Sequence, residues 1–200
     1  MNESDAQGDI RLIKEMIDRT RKITAGSWVF FLIWGTAIIL AVSCMYVLIG
    51  LGKPGWIWIN WTVFMLAGVL VSVVFARNFE RSTGAKTYPQ VAIDHLVIAC
   101  GAGFFLAGFI FPMLDLYAWG LIPILIALIA GIYAFTLGGI FEWNFLKGCG
   151  ILWWFGGLGM VFVHEQYRAL LFIPLILIGY IAPALLLRRM VRKQREQNAA

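Results

Sequence analysis

Six runs of apolar residues, at 27–50, 56–76, 91–111, 116–137, 148–163 and 169–187, constrain this chain more than any motif in it. A helix needs about 20 residues to cross a hydrocarbon core about 30 Å thick, and each run is near that length. With 61% of its residues hydrophobic and only 14% charged, the chain carries more apolar surface than a water-soluble core can hide. In lipid every spanning backbone group must be bonded within the protein, and the runs lack the alternating pattern of membrane barrel strands. The expected fold is therefore all-α: a bundle of six transmembrane helices.

The division expected along the chain is a cytoplasmic segment at 1–26, a membrane domain at 27–187 and a basic cytoplasmic tail at 188–200. A cleavable signal peptide would place a short basic stretch directly before a brief apolar core, whereas the first run here follows a long polar segment and reads as a retained helix. Of the 16 Lys and Arg, all but Lys53 and Arg168 fall on one side if the N-terminus starts inside, which puts both termini in the cytoplasm. Aromatic residues agree. Trp56, Trp58, Trp61, Tyr117, Trp119 and Tyr167 gather at the expected outer boundary, and Trp28, Tyr88 and Trp143 at the inner one. The net charge of +5 is then an insertion and anionic-lipid signal, and nucleic-acid binding has no basic folded surface to use.

Residues 9–24 place Ile10, Ile13 and Ile17 on one stripe with charged residues around the rest, the pattern of an amphipathic helix lying on the inner leaflet. Such a helix serves either as an anchor or as a docking element for a cytoplasmic partner. The fifth run is the weakest, being short and rich in glycine, and a start nearer Phe141 would lengthen it. Its Gly148, Gly156 and Gly159 fall roughly on one side, a face suited to close packing within the bundle or between copies of the chain.

Ionisable residues within a membrane are functional candidates by default. Asp94 and His95 open the third run, where a carboxylate and an imidazole can relay protons or bind a cation, although sequence neighbours point to different sides of a helix. The competing reading of Asp94 is a helix-start role favoured by the dipole. Glu142, in a segment rich in glycine and aromatics, is a third candidate, with pairing to Lys147 as its structural reading. Asn60 is expected at headgroup depth, and Asp115, His164, Glu165 and Arg168 in solvent. Pro174 is the candidate hinge of the sixth span, Pro183 lying near the expected end of that span. Cys44, Cys100 and Cys149 show no CxxC or Cys/His spacing, so neither a disulfide framework nor a metal or other cofactor is expected.

The spans form three hairpins of like orientation, and "FLIWG" at 31–35 loosely echoes "LWWFG" at 152–156. The sequence "LIKEMIDRT" followed by "FFLIWG", then Tyr88 and Asp94, then "GGI…LKG…ILWW", resembles a group of small bacterial integral membrane proteins. That resemblance implies a bacterial inner-membrane location and carries no activity. A fainter likeness, in size and layout only, is to the acid-resistance membrane proteins. Two functions are weighed. The first is a non-catalytic structural, sensory or accessory component that forms a homo-oligomer or engages a membrane-protein partner. The second is a small transporter or channel for protons or a small solute, with Asp94, His95 and the Pro174 region lining the path. Enzymatic chemistry ranks third, since the two histidines fall on opposite expected sides and no spacing suits metal or nucleophilic catalysis.

Overall fold

The computed structural model describes residues 28–83 and 88–199, so the amphipathic segment expected at 9–24 lies outside the described residues. Every regular element described is helical. Helix α1 is Trp28–Gly50. A single 3-10 turn, Pro54–Trp56, leads into α2, Ile57–Thr83. Helix α3 covers 88–113 and is built from Tyr88–Phe105, a widened turn Leu106–Ile110 and a last turn Phe111–Met113. Helix α4, Ile122–Ile140, is opened by the 3-10 turn Trp119–Leu121, and α5 is Asn144–Val161. Helix α6 covers 165–199, running through a 3-10 turn at Ala169–Leu171 and a second widened turn at Leu177–Ile181.

Among the described residues, five segments are long and apolar enough to cross a membrane: Trp28–Gly50, Pro54–Asn78, Pro89–Met113, Trp119–Ile140 and Glu165–Arg189. These fit a multi-pass membrane protein. Helix α5 does not join them. Its 18 residues span about 27 Å, and Asn144, Lys147 and five glycines dilute its apolar character. It starts at Asn144, between the run boundary at 148 and the earlier start near Phe141. Helices α2 and α6 outrun their apolar runs, because a polar sequence such as "RRMVRKQREQNA" continues a helix that packing has already nucleated.

Among the described residues, three helices end on a residue with left-handed backbone. Gly52 (φ 69°) follows α1, Asp115 (φ 52°) follows α3 and Glu142 (φ 52°) follows α4. In each case an amide just beyond reaches back to an orphan carbonyl: Lys53 N–H to Leu48 O at 2.9 Å, Leu116 N–H to Phe111 O at 3.1 Å, and Trp143 N–H to Gly138 O at 2.9 Å. Glycine adopts this conformation freely and Asp tolerates it, but Glu carries the steric cost of its Cβ. The connections at 51–56, 114–118 and 162–164 share one end of the bundle, the Asp115 end. The opposite end, the Glu142 end, holds the α4–α5 connection, the start of α1 and the exit of α6.

The helices close a ring in chain order. Phe30 of α1 meets Phe75 of α2 edge-on at 5.3 Å, and Trp58 of α2 meets Phe109 of α3 at 4.9 Å. Gly103 and Gly108 of α3 face Ile129 and Ile126 of α4. The tightest pair is α4 and α5. A Cβ on Gly150 would fall 2.7 Å from the Phe135 amide nitrogen and 2.9 Å from Gly131 O, and one on Gly138 would fall 2.6 Å from the Lys147 nitrogen. Trp153 of α5, only 2% exposed, packs on Phe172 and Tyr180 of α6. The ring is completed by Tyr180 against Phe31 at 5.5 Å, Gly35 against Ile181, and the Arg188 guanidinium 5.4 Å over the Trp28 ring.

This packing distributes the glycines of α5 differently from the single face expected for Gly148, Gly156 and Gly159. The face that meets α4 is Gly150 with Gly157, seven residues and so two turns apart. Gly156 faces Leu175 of α6, while Gly148 and Gly159 meet nothing within 4 Å. The difference arises because α5 is flanked on two sides, so its glycines divide between two neighbours and the outer surface.

Candidate functional site

Helix α3 opens at Tyr88 with Pro89 in its first turn, where a missing N–H costs nothing. This earlier start moves Asp94 to the second turn, about 9 Å along the axis, and no acidic residue occupies the first. The helix-start role therefore has no geometric basis here. The buried face of α3 runs through Ile93, Leu96, Cys100, Phe104 and Ala107. Asp94 lies about 100° around from Ile93, half-buried on the flank and engaged in its own contacts.

His95 is a further step away from that face and is exposed. Its Nδ1–H donates to Val91 O one turn back, at 2.8 Å. A carbonyl only accepts, so the neutral ring is the Nδ1–H tautomer with its Nε2 lone pair directed outward. Asp94 and His95 are thus not brought together in a shared interior site.

Glu142 is exposed and occupies the left-handed position that ends α4. No ion pair joins it to Lys147 among the described residues. Asn60 is not at the surface: it is 7% exposed, and its Nδ2 donates to Ala41 O of α1 at 2.9 Å, while its Oδ1 is buried without a partner. His164 is exposed at the Asp115 end. Arg168 is half-buried there, its Nη1 donating to Gly120 O at 2.8 Å and its Nε to Val163 O at 3.0 Å, with Glu165 3.8 Å away. Together with Tyr46 Oη donating to Gln166 O at 2.6 Å, it ties the connections of that end to one another. The three cysteines are free. Among the described residues no three of His, Cys, Asp and Glu come together as metal ligands.

The most unusual local structure lies elsewhere, in the two widened turns. A proline inside an α-helix clashes with the carbonyl four residues back and cannot donate to it. Pro112 would strike Gly108, and Pro183 would strike Gly179. In both helices the preceding turn widens by one residue to escape the clash. Phe111 N–H then bonds Leu106 O, and Ala182 N–H bonds Leu177 O, each five residues back.

In that register the next donors would be Pro112 and Pro183, which have none, so Ala107 O and Ile178 O lose their helical partners. Each carbonyl is capped from outside its helix segment. Tyr117 Oη donates to Ala107 O, and Cys149 Sγ donates to Ile178 O at 3.7 Å. Burial pushes the Tyr117 phenol up, which keeps it in the donating form.

Pro174, the expected hinge, sits one turn before the second widened turn, next to the 3-10 turn at Ala169–Leu171. The widening itself belongs to Pro183, which the continuation of α6 places in mid-helix. The signal for both turns was present as a repeated heptapeptide, "LAGFIFP" at 106–112 and "LIGYIAP" at 177–183. Comparing spans of like orientation misses it, because α3 and α6 run in opposite directions. No protein-family model, curated protein or solved structure matches this chain.

Proposed function

We propose that this chain is a six-span protein of a bacterial inner membrane with both termini cytoplasmic. We further propose that it lacks catalysis of its own and works as a structural, sensory or accessory component that oligomerises or engages a partner. One observation carries this reading: among the described residues no Asp, Glu, Lys, Arg or His is buried, and the buried amide of Asn60 is used to hold α2 to α1. The interior is given to packing, and the ionisable candidates Asp94, His95, Glu142 and His164 lie on flanks and ends.

The close α4–α5 contact supports α5 as the sixth crossing, since a helix packed along a spanning neighbour spans with it and needs little apolar surface of its own. Outward surface is plentiful on α2, where Leu70, Val71, Val74, Phe75 and Asn78 line a shallow groove. The basic exit of α6 suits anionic lipid at the inner leaflet. A second reading, a small transporter for protons or a small solute, is favoured by the two helices interrupted at Gly and Pro.

Native mass spectrometry of the protein in lipid nanodiscs tests the first reading. A discrete oligomer or a co-purifying protein supports it. A bare monomer that retains a small solute contradicts it in favour of transport.

A further inference from the structure

We propose that α1–α3 and α4–α6 are the two halves of an inverted repeat, and that the widened turns of α3 and α6 are its matched hinges, which bend together. The inference stands on the turns themselves and holds under either reading above.

The first support is correspondence in sequence. Leu106, Gly108, Ile110 and Pro112 recur as Leu177, Gly179, Ile181 and Pro183, with Phe109 answered by Tyr180. The second is correspondence in backbone: the same five positions form the widened turn in both helices, Leu106–Ile110 and Leu177–Ile181. The third is placement. Each turn lies in the third helix of a set of three, and an odd number of crossings turns the second set upside down relative to the first.

The two turns accordingly lie toward opposite ends of the bundle. Tyr117, in the connection at the Asp115 end, caps the α3 turn. Cys149, six residues into α5 from the Glu142 end, caps the α6 turn, and Gly35 near the start of α1 packs on Ile181.

Both turns are made to bend. A widened turn has weaker backbone bonding than the α-helix around it, and such turns are a recognised source of helix kinks. One side-chain hydrogen bond holds each orphan carbonyl, and in each case the donor belongs to a different element, so bending the helix breaks a single contact. The residues packed at the turns (Ile126 and Trp58 on one, Trp153, Phe31 and Gly35 on the other) are uncharged, so no ion pair with them must be broken.

What couples the turns is the α4–α5 pair. Gly131, Gly138 and Gly150 bring its backbones close together and Gly157 seats Ala127, so the two helices move as one bar. Ile126 on α4 bears on Gly108 of the first turn. Trp153 on α5 bears on Gly179 of the second, with its buried indole N–H left without a partner. Displacing the bar at one turn displaces it at the other.

The test is hydrogen exchange read by mass spectrometry on the full chain in lipid nanodiscs, comparing the native sequence with Pro112→Ala and Pro183→Ala. Each substitution restores a backbone donor and lets the local turn close. Exchange slows about fivefold at the substituted turn, the worth of one added hydrogen bond. Coupled hinges require the same variant to slow exchange at the other turn as well, in 177–184 for Pro112→Ala and in 106–114 for Pro183→Ala. Slowing confined to the substituted helix overturns the proposal. Should a proline variant fail to insert, Tyr117→Phe and Cys149→Ala remove the caps instead. Faster exchange at both turns in either variant then supports coupled hinges, and faster exchange at the nearer turn alone overturns them.

Discussion

Glycine does opposite work in the α4–α5 pair and in helices α3 and α6. In α4 and α5 the glycines at 131, 138, 150 and 157 sit in regular helix, and the space of their missing Cβ atoms is filled by the neighbouring helix: by its backbone at Gly138 and Gly150, by the Trp154 indole at Gly131 and by the Ala127 Cβ at Gly157. In α3 and α6, Gly108 and Gly179 stand four residues before a proline, and the helix widens there. The contrast teaches that glycine alone does not loosen a membrane-type helix. Without proline it lets two helices lock, and with proline four residues on it marks where one helix yields.

The sharpest way to break the comparison is to fill the lock. In Gly150→Ala the new Cβ meets the Phe135 amide and Gly131 O, backbone atoms that cannot rotate away, so the variant loses about 3 kcal/mol in reversible unfolding from mixed micelles. Gly148→Ala on the same helix meets nothing and loses no stability; equal losses would dissolve the distinction between the glycine faces.

The two hinges themselves differ, and that sharpens the picture. In Gly179→Ala the Cβ would lie 2.5 Å from Trp153 Nε1 and cost about 2 kcal/mol, because Trp153 is buried on every side. Gly108→Ala meets Ile126 at an ordinary 3.6 Å and is tolerated in the same assay.

Removing the cap of the first hinge has a smaller effect. Tyr117→Phe leaves Ala107 O unpaired, costs about 1 kcal/mol and raises exchange at 106–114 without altering 144–161. The last change is a gain. Glu142→Gly relieves a left-handed backbone in the α4–α5 connection, away from both hinges, and raises stability by about 1 kcal/mol in thermal unfolding, with no change in exchange at either hinge.

The apolar runs made the helical fold and five of the long helices legible, because run length reflects bilayer thickness directly. Helix ends were less legible. The apolar run closes at 187, yet α6 continues to Ala199, and that continuation changes Pro183 from a helix end into a mid-helix break. Which glycine faces which neighbour was not legible in α5, since Gly148, Gly150, Gly156, Gly157 and Gly159 share one sequence signature and only the positions of α4 and α6 separate them. The left-handed conformation of Glu142 was hidden for a related reason: the position favours glycine, and the residue there gives no sign of it. The 100° step of a helix separates Asp94 from His95 in any helical reading, but their distance from the helix start depends on Tyr88 and Pro89 being helical.

Backbone amide exchange of the unaltered protein in nanodiscs tests the central claim most directly, since it compares the locked pair with the broken helices in one experiment. Amides in 106–114 and 177–184 are expected to exchange roughly tenfold faster than those in 144–160, reflecting local opening at the widened turns. Equal protection across all of these segments, or slower exchange at the turns than in α5, would contradict it.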